Sequence, residues 1–410
     1  MSHAAKAVAA LRTPQAVRER CTELLSLAED GNLRHFLVKS KRLKDVSRFV
    51  CGTIRDNYPD LNIPFHSRWR HFSAGGLDRW QTLANSAGPI DEDKLARIRI
   101  DLAVTSVLLD AGAGDAWRYI EPNTTKVFSR SEGLAIASLD LFASGAFSSQ
   151  SQSPLRADAA ALEDFERTTL VQAFQVSADN PLVGIDGRVT LIKSLGRCLR
   201  QNPALFGSKS PRIGNLYDYL KGQSVGGVLP ARRILDAVLV GLGAIWPGRV
   251  ELGGVNLGDV WRHPMVRRDD ETDGLVPFHK LSQWLTYSLV EPLEDAGTRV
   301  SGLQELTGLA EYRNGGLFID LDVLVLRDPR AQAESHDVAS ELVVEWRALT
   351  IGLLDRLASL VRSEFGMDAN ALPLAKVLEG GTWSAGRRLA FERRPGGTPP
   401  IRVTSDGTVF

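Results

Sequence analysis

A chain of 410 residues is long enough to bury a substantial core and exceeds the usual size of one domain, leaving one large domain or roughly two to three smaller ones open. Its 49 Lys+Arg balance 49 Asp+Glu, which excludes a net field of the kind that recruits nucleic acid or anionic membrane. Cys21, Cys51 and Cys198 are odd in number, far apart and free of any C-x-x-C, which excludes a disulfide framework or a zinc knuckle.

The first twenty-one residues hold no long apolar run before charges resume. The longest apolar run, 237–246, is about half of the ~20 residues a bilayer span needs. A soluble, cytoplasmic protein is expected. Helical periodicity then dominates. Residues 16–31 place Val17, Cys21, Leu24 and Leu25 on one stripe and stop at Gly31. Residues 91–114 open on an acidic turn and carry a long apolar stripe, which predicts a mostly buried helix. Residues 131–145 open on a Ser N-cap and close on Gly145.

The Ser-rich stretch 147–158 is a linker candidate and equally a surface loop. The expected organisation is an N-terminal helical region, 1–150, and a helical core, 151–410, that carries the site; one continuous domain is the other arrangement. Further helical patterns cover 157–175, 230–246, 279–297 and 334–366. Strand signals are confined to 317–326 and to 388–393 with 401–410. The last two flank the turn-rich RPGGTPP and predict a C-terminal hairpin. The fold class read from this pattern is mostly α with a small C-terminal β element.

Several clusters carry potential chemistry. His66 to Phe72 packs His66, Arg68, Trp69, Arg70 and His71 together, an aromatic and guanidinium set that suits a flat base, a sugar face or a phosphate, or else a Trp-anchored loop. The five-residue spacing of His66 and His71 does not suit a shared metal, and no metal site is expected. Residues 266–276 (VRRDDETDGLV) admit a phosphoribosyl-type ribose clamp or an acidic surface loop. The preceding WRHPM is not the buried strand that such a clamp follows. Lys280 and Gln283 share a helical face, and His279 precedes them. In FIDLDV, Asp320 and Asp322 would face one side of a strand and could bind a divalent cation with a diphosphate, the arrangement of a glycosyltransferase. Those folds begin with a strand-rich nucleotide-binding half, whereas here mostly helical residues come first.

Longer segments resemble one family, the fungal and bacterial uracil-catabolism (URC/urg-type) proteins. They are IPFHSRWRHF (63–72), SVLLDAGAGDAWRY (106–119), RSEGLAIASL (130–139), VPFHKLSQWL (276–285), LAEYRNGGLFIDLDVL (309–324), LPLAKVLEGGTWSAGR (372–387) and SDGTVF (405–410). That family carries Gly where this chain has Asp322, so Asp320 is the aspartate to follow. The resemblance implies a route that degrades uracil through a ribosylated intermediate and releases urea. VPFHKLSQ and AEYR also resemble segments of queuosine-salvage nucleotide N-glycohydrolases, helical enzymes related in fold to helix-hairpin-helix DNA glycosylases. Those carry aromatic-Lys-x-x-Gln and, about thirty residues later, Asp-Tyr-Arg. Here Lys280 and Gln283 precede Glu311, Tyr312 and Arg313, with Glu in place of Asp.

What this resemblance implies is an N-glycoside hydrolase acting on a small ribosylated, uracil-derived metabolite, with no organic cofactor and no nucleic-acid partner. Glu311, with Asp320 second, would stabilise the oxocarbenium-like transition state, and Lys280 would partner that carboxylate or hold a ribose hydroxyl or phosphate. Arg313 suits a phosphate or acid, Gln283 a urea- or uracil-like leaving group, and Trp69 or Trp383 a stacking wall. Tyr312, His279, His66, Arg68 and Arg70 complete the expected binding set. A phosphoribosyl- or glycosyltransferase, requiring a parallel sheet and a divalent metal, and a non-catalytic ligand-binding protein are the alternatives.

Overall fold

The computed structural model describes residues 2–110, 112–122, 124–246 and 249–404. The protein is mostly α, as the periodicities indicate. Among the described residues every sheet is two-stranded, with strands of two or three residues. The helices used below are α1 (His3–Leu11), α2 (Pro14–Glu29), α3 (Leu43–Asn57), α4 (Arg68–Phe72), α5 (Glu92–Leu108), α6 (Arg130–Ala143), α7 (Ile185–Gln201), α8 (Ala231–Leu242), α9 (Lys280–Asp295), α10 (Tyr312–Asp320), α11 (Glu341–Phe365) and α12 (Trp383–Arg393).

The chain divides into two compact units. The first gathers the described residues of Met1–His66, Gly248–Gln283 and Gly302–Ser405; the second gathers those of Ser67–Pro247 and Trp284–Ser301.

In the first unit, α11 is buried along most of its length. Gly352 lets α2 lie close against it: a Cβ there would stand 2.9 Å from the Leu25 side chain. The stripe predicted for α2 is the face that packs, with Val17, Cys21, Leu24 and Leu25 all buried. Its ends follow from local chemistry. Thr13 Oγ1 accepts the Ala16 amide (3.1 Å), Pro14 takes the first helical position, and Gly31 follows in the left-handed region at φ 76°. Val8 and Leu11 of α1 join Leu257, Val260 and Leu275 in a smaller apolar cluster.

Helices α10 and α12 meet backbone to backbone at Gly386. A Cβ on Gly386 would lie 2.1 Å from the Arg313 carbonyl oxygen, so no larger residue fits without moving a main chain. Gly386→Ala is expected to destabilise the fold by about 3 kcal/mol, the upper end of overpacking costs, read as a lower urea midpoint at unchanged m-value.

Two strand expectations are corrected. Residues 312–320 are helical, and only Leu324–Leu326 of 317–326 is a strand, paired antiparallel with Phe36–Val38. The Glu311 cap starts the helix. Asp322 takes φ 59°, so Asp320 and Asp322 do not share a strand face. Residues 388–393 belong to α12, whose Ala385, Gly386, Leu389 and Ala390 are buried at helical spacing; the alternation of RLAFER imitated a strand. The C-terminal β element is Arg402–Thr404, paired parallel with Ser335–Asp337 rather than in a hairpin. Residues 405–410 lie outside the described residues.

The second unit is built on α5, mostly buried as its pattern predicted and continuously so from Ile98 to Leu108, with α6, α7 and α8. Asp101 of α5 is wholly buried, accepting from Arg212 Nε and the Gly214 amide (both 2.6 Å). Burial, only partly offset by Arg212, pushes its carboxyl up to about 6. The N-cap position of α6 falls on Ser129, not Ser131. The pattern over 157–175 resolves into two short helices, Ala159–Glu163 and Arg167–Ala173, broken where Phe165 turns inward. The linker candidate 147–158 lies within this unit as turns, with Asp158 accepting the Ser149 and Ala161 amides.

Candidate functional site

The first unit contains both segments that motivated the hydrolase reading. The strand Val260–Arg262 pairs with Leu275–Pro277 and delivers the chain to α9. Asp259, just before that pair, anchors the turn: its carbonyl accepts the Phe278 and His279 amides, and its Oδ2 accepts the Lys280 amide at 2.8 Å. Arg347 of α11 grips the same carboxylate with both terminal nitrogens (2.8 and 2.7 Å) and lies 4.2 Å over the Phe278 ring. The Trp261 indole adds a hydrogen bond of 2.6 Å. Burial alone would raise the pKa of Asp259, but the Arg347 charge and these hydrogen bonds hold it well below the ordinary carboxylate range.

His279 adopts a left-handed φ of 51°, and its Nε2 is 2.9 Å from the Leu11 carbonyl. Burial lowers its pKa. The ring is thereby neutral and committed to the backbone. Lys280 is half-buried in the first turn. Gln283, one turn on, is fully buried, and among the described residues neither its Nε2 nor its Oε1 has a hydrogen-bond partner.

Glu311 is the N-cap of α10: its two carboxylate oxygens accept the Arg313 amide (2.9 Å) and the Asn314 amide (2.6 Å). The Glu311 carboxylate thus meets Arg313 through its main-chain amide. The Arg313 guanidinium donates to the Gly397 carbonyl at 2.8 Å and lies 4.7 Å over the half-buried Tyr312 ring. Asn314 donates to the Leu309 carbonyl and accepts from Thr382 Oγ1 (2.8 Å).

One helix sets both segments. Arg347 holds the turn before α9, and its neighbour Trp346 lies against α10, where a Cβ on Gly315 would stand 2.6 Å from the indole nitrogen. Neither α11 residue was marked by the sequence reading, because only the fold brings it to the motifs.

His66 also belongs to this unit. Its Nδ1 is 2.7 Å from Glu379 Oε2, and its ring stands 5.9 Å from Trp383, over which Arg387 lies. Asp320 takes a different place from the one expected. Its carboxylate forms two hydrogen bonds with Arg394 (2.6 and 2.7 Å) and is buried. Asp320→Asn should therefore cost about 1.5–3 kcal/mol of stability. Turnover per folded molecule should be unchanged, which thermal melts and active-site-normalised rates will check.

Arg68, Trp69 and Arg70 fall in the second unit, and each is engaged by partners there. Arg68 is fully buried between Asp110 (2.8 Å) and Ser106. The Trp69 indole donates to the Ser288 carbonyl, and Arg99 covers its ring at 4.4 Å. Arg70 pairs with Glu291.

The acidic loop 266–276 closes on itself, with Asp270 bonded to Thr272 and Asp273 to Arg267 and Arg268. Among the described residues one group could hold a metal: His35, Glu341 and Glu345, whose ligand atoms lie within 4.8 Å of one another. The Glu345 oxygens already accept the Arg34 and His35 amides, and the Arg34 guanidinium sits 3.7 Å from Glu341. The parallel pairings among the described residues are two-stranded, Arg402–Thr404 with Ser335–Asp337 and Val228–Pro230 with Arg299–Ser301, and none of them extends into the multi-stranded parallel sheet that either transferase reading requires. No helix among them is long and apolar enough to cross a membrane.

The family model described as "Protein of unknown function (DUF1688)" matches residues 10–410. The chain belongs to this family. Two relatives match over nearly the whole of both chains. "Uracil catabolism protein 4" of Lachancea kluyveri is 39% identical over 437 residues, covering 98% of this chain and 99% of its own. "Protein urg3" of Schizosaccharomyces pombe is 38% identical over 414 residues, with the same coverage. The family match thus reaches into both units.

Proposed function

We propose that this family member acts in uracil catabolism as an N-glycoside hydrolase, cleaving the ribose–nitrogen bond of a uracil-derived metabolite such as ribosylurea or its 5′-phosphate. The uracil-catabolism name of the Lachancea kluyveri relative supports the pathway. The reaction rests on the buried side-chain amide of Gln283, which has no hydrogen-bond partner among the described residues. An orphaned amide at full burial costs about 1–3 kcal/mol, a cost that selection tolerates where a ligand supplies the missing partners. A urea or uracil edge presents an acceptor beside a donor, the complement of a carboxamide. In this reading Glu311 supplies the fixed carboxylate that faces the positive charge developing on the ribose ring. Lys280 and Arg313 bring cations for a hydroxyl, phosphate or the carboxylate itself.

The defining experiment incubates the protein with ribosylurea, its 5′-phosphate, uridine and UMP, with and without EDTA, and follows free ribose or ribose phosphate. Metal-independent release supports hydrolysis; release only with pyrophosphate and Mg²⁺ establishes a phosphoribosyltransferase instead. Gln283→Met provides a second check. Removing an orphaned amide should raise stability by about 1 kcal/mol while lowering kcat/KM by about 10- to 100-fold. A variant that loses stability and keeps its activity would remove the leaving-group role.

A further inference from the structure

We infer that His66 and Glu379 form a proton-transfer pair that protonates the departing nitrogen, with His66 as the acid and Glu379 as its positioning residue. This rests on the hydrolase reading above and adds to it the step that reading leaves open. A nitrogen leaving group expelled as an anion is strongly basic, so cleavage needs a proton delivered to it as the C1′–N bond breaks.

The geometry points to this pair. His66 is 5% exposed. Its amide donates to the Ala375 carbonyl at 2.9 Å, fixing the residue, and its Nδ1 faces Glu379 Oε2 at 2.7 Å. A carboxylate against Nδ1 keeps the proton on that nitrogen and assigns proton exchange with the substrate to Nε2.

Glu379 is held in an unusual backbone. Residues Leu378–Thr382 form a π-helical turn, a feature frequent at functional sites. Two glycines allow it to pack. A Cβ on Gly380 would lie 3.0 Å from Ile63, and one on Gly381 2.6 Å from Val50. The same turn ends at Thr382, whose hydroxyl bonds Asn314, whose amide in turn caps onto Glu311. The pair and the carboxylate assigned to the ribosyl cation are therefore joined through two hydrogen bonds and one short turn. The half-buried Trp383, next in sequence, supplies an aromatic face beside the imidazole.

The step balances without any further reactant. The electrons of the C1′–N bond go to nitrogen, which takes the proton from His66 Nε2. Water adds to C1′ and returns a proton to the imidazole. One water is consumed, and nothing is oxidised or reduced.

The test uses leaving-group dependence. Wild type, His66→Gln and Glu379→Gln are assayed on ribosides whose leaving groups span a range of basicity, ending in 4-nitrophenyl β-ribofuranoside, which departs without a proton. Circular dichroism verifies folding. His66→Gln should lose about 10²- to 10⁴-fold in kcat on the most basic leaving group and only a few-fold on nitrophenyl. Its plot of log kcat/KM against leaving-group pKa should steepen. Glu379→Gln should show the same selectivity with a smaller loss. Equal losses across the series, or none, would overturn the pair while leaving the hydrolase reading intact. A folded wild type that releases ribose from no member would overturn the hydrolase reading, and this assignment with it.

Discussion

Glu311→Gln should lower kcat/KM for riboside hydrolysis by about 10²- to 10³-fold while leaving the protein folded. The magnitude is that of removing one preorganised electrostatic contact to a developing charge, about 2.7–4 kcal/mol. Folding should survive because a carboxamide oxygen can still accept one of the two amides, from Arg313 and Asn314, that Glu311 now caps. Loss of a cap costs about 1 kcal/mol. The separation between these effects makes the experiment decisive. A purely structural cap predicts a small fall in melting temperature with normal turnover; a charge facing the ribosyl cation predicts the reverse weighting. Steady-state kinetics and a thermal melt on one preparation distinguish them.

Asp259→Asn should produce the largest loss of stability, about 3–5 kcal/mol, a large part of the 5–15 kcal/mol that holds a typical domain together. The substitution takes from the buried Arg347 the carboxylate to which both its terminal nitrogens donate, although the shape at position 259 is nearly unchanged. Arg347→Met should cost a similar amount, and the double variant should recover part of the deficit, giving a clear coupling in a double-mutant cycle by urea denaturation. The pH dependence has a definite sign. The folded pKa of Asp259 is depressed, so its contribution is present above the unfolded carboxylate value and is lost as pH falls below it. The wild-type urea midpoint should fall on acidification from about pH 5, and the fall should be shallower in Asp259→Asn. Because Asp259 also caps the Lys280 amide, that variant should lose activity even under conditions where it remains folded.

Helix positions with strong apolar periodicity were legible in the sequence. The stripe of Val17, Cys21, Leu24 and Leu25, and the buried run of α5, are local properties of the chain. Helices α3, α7 and α12 passed unmarked, and 388–393 read as a strand because a two-residue alternation over six positions cannot be separated from a helix edge. The motif residues Lys280, Gln283, Glu311 and Arg313 were also visible. Their environment was not. Whether Gln283 is exposed, whether Asp320 is spoken for by Arg394, and whether His66 meets Glu379 all depend on partners far away in sequence. Asp259 and Arg347 lie outside every quoted motif, and Asn314 and Glu379 lie inside two of them with nothing in the local pattern to set them apart. Arg68, Trp69 and Arg70 drew notice as a binding cluster by their composition, yet Arg68 and Trp69 are buried in the core of the second unit.

The three-segment construction of the first unit also sets a timetable for synthesis. The Arg34 amide waits for Glu345, 311 residues downstream, and α2 cannot bury its stripe until α11 has been made. At translation rates of about 5–20 residues per second, that interval is roughly 15–60 s. Throughout it the apolar face of α2 stays solvated on the ribosome, far longer than the roughly 0.1–100 μs in which a chain collapses. Slowing elongation should therefore lower the yield of folded protein.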